Sequence, residues 1–217
     1  MKFEQETNFA QVEVIEVAGD LPEGALTSKT SGSLVGIDTE TSGLDWSNAK
    51  LGLIQVYFQD LETVYLIRPQ AKVPKRLKHL LASDKWLKIF HFALFDLRFL
   101  DATWGIAPSN IRCTKIASKL LAPGKSKHRL ADLLESRLGV EISKDEDIRT
   151  SDWTAESLSQ AQLSYAALDA LYLPRLFQSL EDELRRTDLE SLASRCFSFI
   201  PTQLRAERLG IENLFGY

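Results

Sequence analysis

A chain of 217 residues, 44% hydrophobic and 26% charged, has the length and apolar content for one α/β domain with a tail, and its composition excludes a disordered chain. No apolar run approaches the roughly 20 residues of a membrane span, and residues 1–6 lack the basic-then-apolar plan of a signal peptide, so a cytoplasmic location without membrane attachment is expected. The net charge of −4 argues against coating nucleic acid through overall charge, yet it leaves room for a local basic surface.

Residues 12–17 read as a short edge strand, followed by Gly, Pro, Thr and Ser punctuation up to Ser33. The apolar run that starts at Leu34 ends in two acids, Asp38 and Glu40. With residues 53–58 and 63–67 it is expected to form a three-stranded antiparallel meander. From Pro74 the spacing of Leu77, Leu80 and Leu81 turns helical. Residues 86–91 read as another buried strand, and Leu94, Leu97 and Leu100 mark a helix that starts near Phe92 and ends before Gly105. Strand, helix, strand, helix is α/β grammar. Between Ala102 and Ala131 there is no acid, whereas Arg112, Lys115, Lys119, Lys125, Lys127 and Arg129 are basic. This stretch serves equally as a binding surface or as the solvated face of a helix near 114–122. Cys113 and Cys196 stand far apart, which indicates neither a zinc site nor a disulfide framework.

Past Gly139 the chain is acidic and irregular to Thr150, the pattern of a mobile loop. A long helical segment is expected over about 155–186, with breaks near Ser164 and at Pro174. The tail, 188–217, reads as two short helices, 189–199 and 201–210. Its apolar face, Cys196, Phe197, Phe199, Leu204 and Leu209, must pack on the domain or on a partner.

Three places carry chemistry. Side chains alternate along a strand, so Asp38 and Glu40 project to one side and Thr39 to the other. Two carboxylates that close raise each other's pKa and call for a cation. Taken alone, Asp-x-Glu also fits a strand running out into a polar turn at Ser42 and Gly43. Asp96 lies on the first turn of a helix leaving a buried strand, where the helix dipole favours an anion and where Asp is also a common cap. Tyr165 and Asp169 are four apart on one helix face, with β-carbons roughly 6 Å apart. Almost everything around them is Ala or Leu, and an acid in such surroundings is costly unless something binds it.

Asp38-Thr39-Glu40, His91-x-Ala93-x-x-Asp96 and Tyr165-x-x-x-Asp169 together resemble the three exonuclease motifs of the DEDD superfamily, tyrosine branch, and most nearly the ribonuclease D-like 3′-to-5′ exonucleases. The likeness runs over about 34–184 and includes Leu51-Gly52-Leu53-Ile54-Gln55, Thr114-Lys115-Ile116-Ala117 and Ser151-Asp152-Trp153. It implies an α/β, ribonuclease H-like fold: a mixed sheet with antiparallel first three strands, flanked by helices. The expected division is an exonuclease domain over 1–186 and a helical tail over 187–217 packed on it.

The resemblance also implies roles. Asp38, Glu40, Asp96 and Asp169 would bind two divalent cations, Mg²⁺ or Mn²⁺, and Tyr165 would orient the attacking water. Thr41 and Leu44 would contact the terminal nucleotide. In the histidine branch a His stands where this chain has Ser164, and proofreading relatives carry Asn where it has Phe92. A lysine before Ser-Asp-Trp in those relatives is matched by Lys144 only with altered spacing. Two cations about 4 Å apart suit phosphodiester hydrolysis, and hard cations prefer oxygen ligands, which explains carboxylates in place of Cys or His. The implied partner is single-stranded nucleic acid with a free 3′ end, RNA ahead of DNA. The sequence shows none of the helical nucleic-acid-binding domains of ribonuclease D, so Lys125, Lys127 and Arg129 are the expected backbone contacts, with an oligomer or protein partner through the tail. The alternative is a non-catalytic binding module that keeps the fold; it would be marked by loss of one of the five site residues, all of which are present.

Overall fold

The computed structural model describes residues 12–124, 127–142 and 145–216. Six strands form one mixed sheet: β1 (Glu13–Ala18), β2 (Leu34–Thr41), β3 (Leu51–Phe58), β4 (Thr63–Arg68), β5 (Leu87–Phe90) and β6 (Ile111–Cys113), in the order β1-β4-β3-β2-β5-β6. The expected meander is present as antiparallel β2, β3 and β4. β1 adds to it as a parallel edge strand on β4, while β5 and β6 continue it in parallel beyond β2. Every residue of β3 is buried, the pattern of a strand covered on both faces.

The helices are α1 (Lys75–Ala82), α2 (Ala93–Trp104), α3 (Thr114–Leu121), α4 (Leu130–Leu138), α5 (Glu146–Arg149), α6 (Gln160–Leu171), α7 (Leu173–Arg186) and α8 (Glu190–Arg208). Among the described residues, no helix is long and apolar enough to cross a membrane.

Five expectations change. The long helical segment begins at Gln160, not near Ala155, because Ser159 and Gln162 close a reciprocal capping box there. The expected break at Pro174 is present, at Tyr172, since Pro174, which has no N–H, sits in the first turn of α7, but the one near Ser164 is absent, because α6 runs through it. The acidic run after Gly139 is not simply a loop. Asp145 caps α5 by accepting from the backbone N–H groups of Asp147 and Ile148, and Val140, Ile142 and Ile148 pack against the core.

The tail is one helix that passes through Pro201. Ala193, Phe197, Ile200 and Leu204 bury a continuous stripe, and two ion pairs, Arg98–Glu207 at 2.6 Å and Arg208–Asp101 at 3.1 Å, fasten its far half to α2. Burial of that stripe outweighs the single backbone bond that the proline forfeits. Leu209, expected on the packed face, is 74% exposed.

Strand lengths and two glycines fix where β2 and α6 lie relative to each other. β5 pairs with β2 only from Leu34 to Gly36, so Asp38 and the residues after it extend past β5 along an open edge. The glycines let other backbone approach closely. A β-carbon on Gly36 would lie 2.2 Å from the Ala170 carbonyl oxygen, and one on Gly52 would lie 2.6 Å from that of Trp153. The end of α6 therefore seats directly on β2, and the Trp153 segment on β3.

Candidate active site

Asp38 and Glu40 leave β2 on the face that α6 covers, and Asp169 descends from α6 onto the same spot. One carboxylate oxygen from each lies within 4.8 Å of the others. Asp96 comes from α2 to the opposite face of β2. There it is 2% exposed, and Oδ1 accepts a hydrogen bond from the Thr39 hydroxyl at 2.7 Å. Three acids thus meet in one group, and the fourth is held beside Asp38 by the threonine between the two motif acids.

The electrostatics of the group are unfavourable without a cation. Burial pushes the Asp38 carboxyl up to about 7, against a hydrogen bond from the Thr39 backbone. Burial, then the charges of Asp38, Asp169 and Asp96, raises Glu40 well above the usual carboxylate range, and Arg149 opposes them. Asp96 and Asp169 are raised in the same way, first by burial and then by Asp38; the Thr39 hydroxyl and the Tyr165 hydroxyl, respectively, pull them back. Tyr165 itself is raised by burial and by the charges of Asp169, Glu40 and Asp38, so its hydroxyl keeps its proton. An all-oxygen donor set in which every member is raised by burial fits a hard divalent cation.

A cleft of about 440 Å³ opens over the group, lined by Asp38, Thr39, Asp96, Tyr165 and Asp169 together with Lys115, Arg129, Arg149, Phe92 and Phe95. A larger cavity of about 720 Å³ against α8, which includes Arg112, contains none of the acids. The Lys115 ammonium sits 4.2 Å from the Phe92 ring centroid. His91 Nδ1 pairs with the Thr114 hydroxyl at 2.9 Å, and burial lowers its pKa to about 4, so the ring is neutral near pH 7.

The residues expected to hold substrate are dispersed. Arg129 borders the cleft while paired with Asp132 at 2.8 Å. Thr41 donates to the Gly43 carbonyl at 2.7 Å, Leu44 is 84% exposed, and Lys127 is exposed; none of the three lines the cleft. Lys125 and Lys144 lie outside the described residues. Sequence reasoning misses Arg149, which stands in the acidic run after Gly139 with no motif to mark it.

A family model described as 3′-5′ exonuclease matches residues 14–185. The chain is 38% identical over 159 residues to ribonuclease D of Haemophilus influenzae, covering 73% of this chain and 39% of the relative. It is 36% identical over 160 residues to DNA polymerase I of Aquifex aeolicus, covering 71% and 25%. The chain therefore spans well under half the length of these curated relatives. Among solved structures, NrnC of Brucella melitensis bound to pGG superposes with a TM-score of 0.85 at 38% identity, covering 95% of this chain and 100% of that one. The same protein with bound Mg²⁺ gives 0.84 at 37% identity, covering 94% and 99%. With residues 14–185 matched by the family model, this chain belongs to the 3′-5′ exonuclease family.

Proposed function

We propose that this chain is a divalent-cation-dependent hydrolase that removes nucleotides from free single-stranded 3′ ends, RNA ahead of DNA. The observation that carries the reading is the meeting of Asp38, Glu40 and Asp169 oxygens within 4.8 Å of one another, with the Tyr165 hydroxyl on Asp169. Those three acids would hold one cation, and Asp38 with Asp96 a second. Mg²⁺ and Mn²⁺ both suit such donors, and the Mg²⁺ in the NrnC relative supports the choice. When bound, the cations supply activation of water and stabilisation of charge on the phosphate and the leaving 3′ oxygen.

The remaining work falls to side chains. Tyr165 keeps its proton, so it orients the attacking water by hydrogen bonding and does not act as the base. Leu44, exposed on the loop after β2, and Thr41 contact the terminal nucleotide. Lys125, Lys127 and Arg129, joined by Lys115 and Arg149 in the wall of the cleft, meet backbone phosphates. The pGG held by NrnC supports short oligonucleotides among the substrates. The two free cysteines support a cytoplasmic location, and exposed Leu209, Leu214 and Phe215 support a protein contact through the tail.

The test is digestion of 5′-labelled RNA and DNA of matched sequence, with free and blocked 3′ ends, in Mg²⁺ or Mn²⁺. Stepwise shortening of free ends by the wild type, its loss in Asp169→Asn and intact blocked ends are expected. Oligonucleotides bound but never shortened indicate the non-catalytic module instead, and activity that survives Asp169→Asn removes the assignment.

A further inference from the structure

The Gln55 side chain is fully buried in the middle of β3, and neither its Oε1 nor its Nε2 has a hydrogen-bond partner among the described residues. An unpaired buried amide is destabilising, so a core position would do better with a hydrocarbon. The run around it, Leu51 to Phe58, is otherwise apolar but for Gly52 and Tyr57. Its place in the sheet accounts for the exception. Gln55 is the cross-strand partner of Asp38 in the antiparallel ladder, so the two side chains rise from the same face with β-carbons about 5 Å apart. On its other side Gln55 is paired with Leu66 of β4, which offers no polar group. The helix over that face is α6, whose buried Ala166 and Ala170 let it lie close and which carries Asp169. In the structure Asp38 takes its hydrogen bond from the Thr39 backbone and leaves the amide unanswered.

We propose that Gln55 is a positioning residue for the cation site, its Nε2 donating to the Asp38 carboxylate once that carboxylate turns to bind a cation. The proposal rests on the reading of the acid group as a cation site. A carboxylate that binds a cation through one oxygen presents the other to a donor, and partners of this kind set the orientation of metal-binding side chains. In the cation-free protein the amide is a stability defect; in the loaded protein its Nε2 is paired.

The two states make opposite demands, and that separates this role from packing. Gln55→Met keeps the volume and removes both polar atoms; Gln55→Leu does so with a different shape. Calorimetric titration with Mn²⁺ is expected to show affinity about 10–100-fold weaker in both variants. Their melting temperatures in EDTA are expected to equal or exceed that of the wild type. Variants that bind Mn²⁺ as the wild type does overturn the proposal while leaving the function intact, and lower melting temperatures with unchanged affinity show that Gln55 is a packing residue only. A wild type that binds no Mn²⁺ removes both this proposal and the reading on which it rests.

Discussion

Replacing Asp38 by Asn should stabilise the cation-free protein while abolishing its activity. Asp38 ionises near 3.8 in an unfolded chain and near 7 here, because burial disfavours its charge. Between those values the folded state keeps a proton that the unfolded state has released, so stability falls as pH rises from about 4 to about 7. The difference is about three pH units, at about 1.4 kcal/mol each, or roughly 4 kcal/mol above pH 7. The Asn amide is itself a half-buried polar group and returns about 1–2 kcal/mol of that gain. The net is about 2 kcal/mol, or about 4–8 °C in melting temperature for a chain of this size. Thermal unfolding in EDTA at pH 5 and pH 8 measures it: Asp38→Asn should match the wild type at pH 5 and exceed it at pH 8. Mn²⁺ at pH 8 should raise the wild type and leave the variant unmoved. An Asp38→Asn protein less stable than the wild type at pH 8 in EDTA would refute the account, since burial of the charge would then not be the dominant effect.

Tyr165→Phe should cut the rate of 3′-end trimming by about 10²-fold even at saturating Mn²⁺, as expected of a group that orients water. Gly36→Ala puts a β-carbon 2.2 Å from the Ala170 carbonyl oxygen, and urea unfolding should show a loss of about 1–3 kcal/mol together with reduced activity, because the end of α6 lifts Asp169 away from Asp38. Arg98→Ala leaves the Glu207 carboxylate, 5% exposed, without its paired guanidinium; a loss of about 3 kcal/mol is expected, with most of it recovered in the double variant Arg98→Met, Glu207→Leu.

Much of this architecture is legible locally. The three strands of the meander have β-rich apolar runs separated by turn residues, and the Tyr165–Asp169 spacing places both on one helix face whatever the tertiary contacts. α4 is not among the expected helices, although Leu130, Leu133, Leu134 and Leu138 repeat at helical spacing ahead of Gly139. β6 has three residues, too few for a period to show. Whether Pro201 breaks the tail depends on partners more than 90 residues away on α2, which no local pattern reports.

The acid group shows the same division between local and non-local information. Alternation along β2 correctly sends Thr39 away from Asp38 and Glu40, and on that ground alone Thr39 is a core residue. Its hydroxyl nevertheless holds Asp96 at 2.7 Å, because β2 outruns β5 and leaves an open edge around which α2 brings its acid to the other face. Gln55 depends likewise on register. An extra residue at Gly52 shifts the ladder between Glu40 and Thr41, and without that bulge the pairing at Thr41 would carry on to put Ile54, a side chain of the opposite face, across from Asp38. A strand motif therefore names the acids of such a site, while the lengths and registers of neighbouring strands decide which polar side chains can serve them.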